Sequence, residues 1–230
     1  MRLEPITWEL LTRQLADHLA ADLAGQLTGP PASAPAAQDD DRAQWLRVAV
    51  DGAPPAEPGA LAERLADAVR LRGMPALVVG TDGFLRADSL RFEFGKQDPD
   101  AYYDLWYDTQ ALWREVFAPL DPGGDGRVLP DLRAPTEDRP TRSPYVQLPA
   151  GGVLLLHGPF LLGKWFPFDL TVHLGLSASA LERLTPYEEH WKLPAYERYE
   201  DEVAPQQAAD VFVRSDRPQR PAWSGLPGRD

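Results

Sequence analysis

The 230 residues contain no cysteine. Disulfides, thiolate catalysis and cysteine-based zinc or iron–sulfur centres are therefore excluded, and the composition suits a reducing compartment. Lysine is nearly as scarce. Lys96, Lys164 and Lys192 are the whole complement, so a step that needs an ammonium group has three candidates, none of them before Gly95. Positive charge is short overall, with 23 basic against 35 acidic residues, a formal net charge of -12 and a pI near 4.8. Such a field repels nucleic acid and anionic membranes as bulk partners. Long apolar runs are missing too; none approaches the roughly 18 residues of a membrane span. No uninterrupted apolar core follows Met1–Pro5, so no signal peptide is expected and a soluble cytoplasmic protein is the default. The four histidines (His18, His157, His173, His190) show no metal-ligand spacing, and no metal site is expected. There is no G-x-S-x-G elbow, which leaves a hydrolase without support.

What is present is the grammar of an α/β domain. Leu46-Arg47-Val48-Ala49-Val50 is a short apolar, β-branched run. A Gly/Pro turn follows, and then a helical pattern with Leu61, Leu65, Ala68 and Val69 on one face. Strands are expected at residues 45–50, 75–79, 153–156, 168–174 and 211–213. Helices are expected at 60–71, 102–117, 178–183 and 187–199. This alternation predicts a three-layer α/β fold around a parallel sheet of about five strands. Ahead of it, Leu10, Leu11, Leu15, Leu19 and Leu23 recur at helical spacing within residues 6–26. The expected division is an N-terminal helix over 1–27, a linker over 28–44, a main domain over 45–218 and a C-terminal tail over 219–230. The Pro-rich stretch ending in Asp39-Asp40-Asp41 reads as a solvated linker, and residues 121–145 as a long Gly/Pro/Arg-rich excursion.

Six stretches, in order and at matching spacing, resemble the uridine kinase-like branch of the P-loop nucleoside kinases, within the P-loop NTPase superfamily. They are Val48-Ala49-Val50-Asp51-Gly52, Gly80-Thr81-Asp82-Gly83-Phe84, Asp98-Pro99-Asp100-Ala101-Tyr102-Tyr103, Leu154-Leu155-Leu156-His157-Gly158-Pro159-Phe160-Leu161, Phe168-Asp169-Leu170 and Ala209-Asp210-Val211. The resemblance implies a P-loop sheet with a mobile lid, here about 181–199, and ATP-dependent phosphoryl transfer to a nucleoside hydroxyl.

A working phosphate loop reads G-x-x-x-x-G-K-[ST], with backbone N–H groups, a lysine and a magnesium-holding hydroxyl around the phosphates. Laid on this chain, the first glycine is Gly52, but the second falls on Glu57, the lysine on Pro58 and the hydroxyl on Gly59. The Walker A loop is thus degenerate: an acid stands where phosphate should sit, and three prolines thin the N–H fan. The acid expected after the fourth motif is His157, a poor magnesium ligand. ATP and Mg are thus expected only by an unconventional site.

The acceptor side is better kept. The resemblance makes Asp82 the general base for the acceptor hydroxyl, with His157 as a second candidate catalytic group; a turn aspartate and a pocket-lining histidine are the plainer readings. Asp98, Asp100, Tyr102 and Tyr103 fall at ribose and base contacts, although loop caps and core aromatics explain them equally. Arg127, in the arginine-bearing excursion, is a further substrate contact, and Arg183 and Lys192 of the lid are candidate phosphate ligands. His173 lies inside a strand pattern and reads as structural. Two functions remain open: a nucleoside-binding kinase homologue, or a pseudokinase acting as a binding or regulatory module, with a homodimer one form open to it. A third is a repurposed active site around Asp82 and His157.

Overall fold

The computed structural model describes residues 2–28 and 45–226, without the side chains of 26–28. The linker with its Asp39-Asp40-Asp41 triplet lies outside the described residues. The central elements are β1 (Glu4–Pro5), α1 (Trp8–Thr28), β2 (Trp45–Gly52), α2 (Pro58–Arg70), β3 (Ala76–Gly80), α3 (Pro99–Asp104), β4 (Gly152–Gly158), β5 (Leu170–Gly175), α4 (Ala178–Leu184), α5 (Leu193–Val203), β6 (Val211–Arg214) and β7 (Ala222–Ser224). They form one sheet in the order β1-β7-β6-β5-β2-β4-β3. The five strands from β6 to β3 are mutually parallel, while β7 and β1 add antiparallel at one edge. Residues 219–226, expected as tail, thus contribute a strand.

The period-2 alternation of the strands sorts the core into two layers. Leu46, Val48 and Val50 of β2, with Val153 and Leu155 of β4, pack with α1 and α2. Trp45 and Ala49, with Leu154 and Leu156, face a second cluster built from Phe84, Tyr102, Phe117, Phe160, Tyr196 and Tyr199. Burial on both faces is why these strands read as continuous apolar runs. The leucine stripe of α1 is covered as expected: Leu11, Leu15, Leu19 and Leu23 are buried, whereas Leu10 lies 41% exposed. Arg72 pairs with Asp17 at 2.6 Å, and the Trp8 indole donates to Pro218 O at 2.7 Å, fixing α1 to the main body.

Two motif acids clamp strand starts. Asp169 accepts the Arg47 N–H at 2.7 Å, and Asp210 accepts the Thr171 N–H and hydroxyl at 2.8 and 2.7 Å. The single helix expected at 102–117 is instead broken. α3 ends at Asp104, and a new turn starts with Asp108 accepting the Ala111 N–H at 2.9 Å before a π-helical turn at Trp113–Phe117. A capping aspartate offers the backbone an alternative to helix continuation, and outweighs the apolar periodicity here. The 121–145 excursion holds one short ribbon, Arg133–Ala134 with Arg139–Pro140, and one strand of a second, Arg127–Val128, which pairs with Val146–Gln147 just beyond it. No helix among the described residues is long and apolar enough to cross a membrane.

Candidate functional site

The parallel strands all end at one edge, where open α/β sheets hold ligands. Register places His157 of β4 beside Val50 of β2 and Gly80 of β3. Two glycines make room for its ring. A Cβ at Gly59 would lie 3.0 Å from His157 Cε1, and one at Gly80 would lie 3.0 Å from the same atom and 3.1 Å from Nε2. The start of α2, the end of β3 and the imidazole therefore form one wall. Asp82 stands in the short turn Thr81–Phe84, with one carboxylate oxygen accepting the Gly83 N–H at 3.0 Å.

These groups line a cavity of about 390 Å³ that also includes Glu57, Pro58 and Tyr107. Sequence reading missed Tyr107. Its signal was weak, because a tyrosine two residues before the Thr109 turn looks like any other helix aromatic. Burial pushes the His157 pKa down, with Asp82 and then Glu63 pulling weakly the other way. Burial likewise holds the Tyr107 phenol well above its usual range, reinforced by Tyr102 and then Asp82. The cavity thus offers a carboxylate acceptor, an imidazole favoured in its neutral form and a phenol whose hydroxyl is hydrogen-bonded to Tyr102. That set suits hydroxyl groups and proton exchange with them.

The turn at its rim is poorly made for phosphate. Pro54, Pro55 and Pro58 carry no N–H. The other two N–H groups between Pro54 and Pro58 are already engaged, Ala56 with Ala53 O at 2.8 Å and Glu57 with Pro54 O at 3.0 Å. Glu57 adopts a left-handed conformation (φ 58°) as N-cap of α2, without a side-chain capping bond. No lysine or arginine lines the cavity, and two carboxylates do. ATP and its magnesium do not fit this arrangement. Among the described residues no three His, Asp or Glu side chains are grouped as a metal ion would require.

Arg183 and Lys192, the cations expected in a lid, are directed elsewhere. Arg183 donates to Asp216 O at 3.3 Å. Lys192 pairs with Glu189 at 2.8 Å and lies over the rings of Tyr102, Trp106 and Trp191. Arg127 stacks on Tyr145 in the ribbon paired with Gln147, next to the start of β2, at the opposite end of the strands from Asp82. The candidate nucleoside contacts serve the framework. Asp98 caps α3 through the Ala101 N–H at 2.7 Å, and Asp100 pairs with Arg198 at 3.1 Å. Tyr102 is buried and shares a hydroxyl contact of 2.8 Å with Tyr196; Tyr103 packs edge-on against Phe160. Of the expected site residues, Gly59, Asp82, His157, Glu57 and Pro58 come together; Gly52 lies against Leu174 and lines a separate cavity beside His173.

No protein-family model and no curated protein matches the chain. Among solved structures it is similar to a protein described as a possible uridine kinase from Bacillus stearothermophilus. The TM-score there is 0.60 at 21% identity, over 86% of this chain and 98% of that one. It is also similar to the YGR205w protein, with a TM-score of 0.57 at 9% identity, over 91% and 93% of the two chains. At such identities the likeness establishes the fold alone: an α/β architecture with a mostly parallel central sheet flanked by helices.

Proposed function

We propose that this protein binds a small hydroxyl-bearing molecule of nucleoside type in the Asp82–His157–Tyr107 cavity and does not perform conventional ATP-dependent phosphoryl transfer. The observation that carries this reading is the Pro54–Pro58 turn, whose N–H groups are absent or already used and whose one charge is the Glu57 carboxylate. Transition-state stabilisation of phosphoryl transfer rests on positioned donors and cations. On this reading the turn is a Walker A loop that has lost its function while the acceptor pocket survives, which makes the protein a pseudokinase-like binding module. The nucleoside class rests on the position of Asp82 and on the likeness to a possible uridine kinase.

A second reading is favoured by the depressed pKa of His157 beside Asp82. A neutral imidazole at neutral pH is a competent base, so the pocket could run acid–base chemistry on its ligand without a phosphate donor. Calorimetric titration with uridine, cytidine and adenosine, each with and without ATP and magnesium, tests both readings. Nucleoside binding that is independent of ATP and weakened in Asp82→Asn supports the proposal. Phosphorylated product in the ATP-containing mixture refutes it.

A further inference from the structure

A second group of titratable side chains lies at the same edge of the sheet, across the Gly52–Ala53 segment from Asp82. Asp51 of β2 and His173 of β5 are direct partners in the parallel register. Asp51 is completely buried and accepts three hydrogen bonds: from the Leu161 N–H at 2.9 Å, the Tyr199 hydroxyl at 3.1 Å and His173 Nδ1 at 2.6 Å. A carboxylate acceptor places the ring proton on Nδ1. In the neutral ring Nε2 then carries the lone pair. That atom is buried and has no hydrogen-bond partner, its nearest charged neighbour being Glu200 Oε1 at 4.0 Å. Buried polar atoms are nearly always paired, so an orphan of this kind asks for an explanation.

The ring borders a cavity of about 590 Å³ between β5 and the helices α4 and α5. That volume lies within the range of about 300–1,000 Å³ typical of small-molecule pockets. Leu174, Leu181 and Leu193 supply an apolar wall, and Phe160 and Tyr196 supply aromatic faces. The rim carries Glu182, Glu197, Glu200 and Asp201, all exposed, and the lining contains no lysine or arginine.

We infer that this cavity is a binding site for a small organic amine, with an N–H donated to His173 Nε2. Its positive charge faces the rim carboxylates, and its hydrocarbon part lies against the leucine and aromatic walls. A phosphate or carboxylate ligand would meet four like charges and no cation. A neutral alcohol would pair with Nε2 but leave the acidic rim unused. Desolvated cations are also attracted to aromatic faces.

The inference is tested on the intact chain with benzylammonium, phenethylammonium and spermidine, and with benzyl alcohol and benzoate as neutral and anionic counterparts of the first. Binding is read by calorimetry and by long-range proton–nitrogen correlation spectra of the histidine rings. The expected result is saturable binding of at least one amine, about tenfold weaker binding of the alcohol and none of benzoate. The His173 Nε2 resonance moves and the His157 resonances stay. The exposed double variant Glu182→Gln/Glu197→Gln, which leaves the core untouched, weakens amine binding about tenfold while leaving the alcohol unchanged. His173→Gln abolishes it; should that variant unfold, the rim variant carries the test. The inference is overturned if no amine of the panel saturates, if the rim variant binds as the parent does, or if the His157 resonances respond instead. Nucleosides are titrated separately, so failure of the nucleoside reading and failure of this one are distinct results.

Discussion

Replacing Asp51 by alanine removes the acceptor on which three elements converge: the loop after β4 through Leu161, strand β5 through His173 and helix α5 through Tyr199. Hydrogen bonds to a charged group net about 1.5–3 kcal/mol each. Three of them are partly offset by the desolvation of a fully buried carboxylate, which costs several kcal/mol. The deletion also strands three buried donors, each costing about 1–3 kcal/mol when left unsatisfied, so the alanine variant should lose about 3–5 kcal/mol in all. For a chain of this size that corresponds to a fall in Tm of about 10 °C. The isosteric Asp51→Asn loses less. Its oxygen still serves the Leu161 N–H, and His173 can shift its proton to Nε2 and accept from the amide. The Tyr199 hydroxyl is the group left without an acceptor, at about 1–3 kcal/mol. Urea unfolding followed by tryptophan fluorescence gives both values, with m unchanged if the native fold is kept. An alanine variant within about 1 kcal/mol of the parent, or an asparagine variant as damaged as the alanine one, would refute this account of the cluster.

Four further outcomes follow from the Asp82 side of the sheet. His157 has its folded pKa depressed by burial, so its contribution to stability is complete above the unfolded value of about 6.5 and is lost as pH falls through the folded value; His157→Phe should flatten that part of the pH–stability curve. Asp82→Asn should lower the His157 pKa further, read by NMR titration, because the Asp82 charge is the largest influence raising it. Glu57→Gly should stabilise by about 0.5–1 kcal/mol in thermal unfolding, because the left-handed backbone no longer carries a Cβ, less the small favourable field of an acid at a helix N-terminus. A Gly59→Thr substitution meant to rebuild a phosphate loop should destabilise on its own, since its Cβ would press on the His157 ring at 3.0 Å, and should recover when His157 is made smaller.

Much of the framework was legible because it is local. Doubly buried strands show as apolar runs at Leu46–Val50 and Val153–Leu156, and the Pro/Gly turn before Leu61 marks the first strand-to-helix junction. The prolines of that turn were legible too; that its remaining N–H groups bond internally was not. What stayed hidden depended on which strands lie side by side. Asp51 and His173 are 122 residues apart and become neighbours only because β5 packs directly on β2. An isolated histidine in a strand pattern gave no hint of an unpaired Nε2. The ion pairs of Arg198 with Asp100, Asp104 and Glu202 were equally invisible. They make Arg198 and Asp100, a candidate ribose ligand, part of a strut between α3 and α5.

The measurement closest to the central claim is a calorimetric titration of the intact chain with ATP in the presence of magnesium. A turn with no free cation, two engaged N–H groups and an acid at its apex predicts no saturable heat and no nucleotide-dependent rise in Tm. Magnesium-dependent ATP binding tighter than about 1 mM, abolished by Gly59→Val at the start of α2, would contradict it.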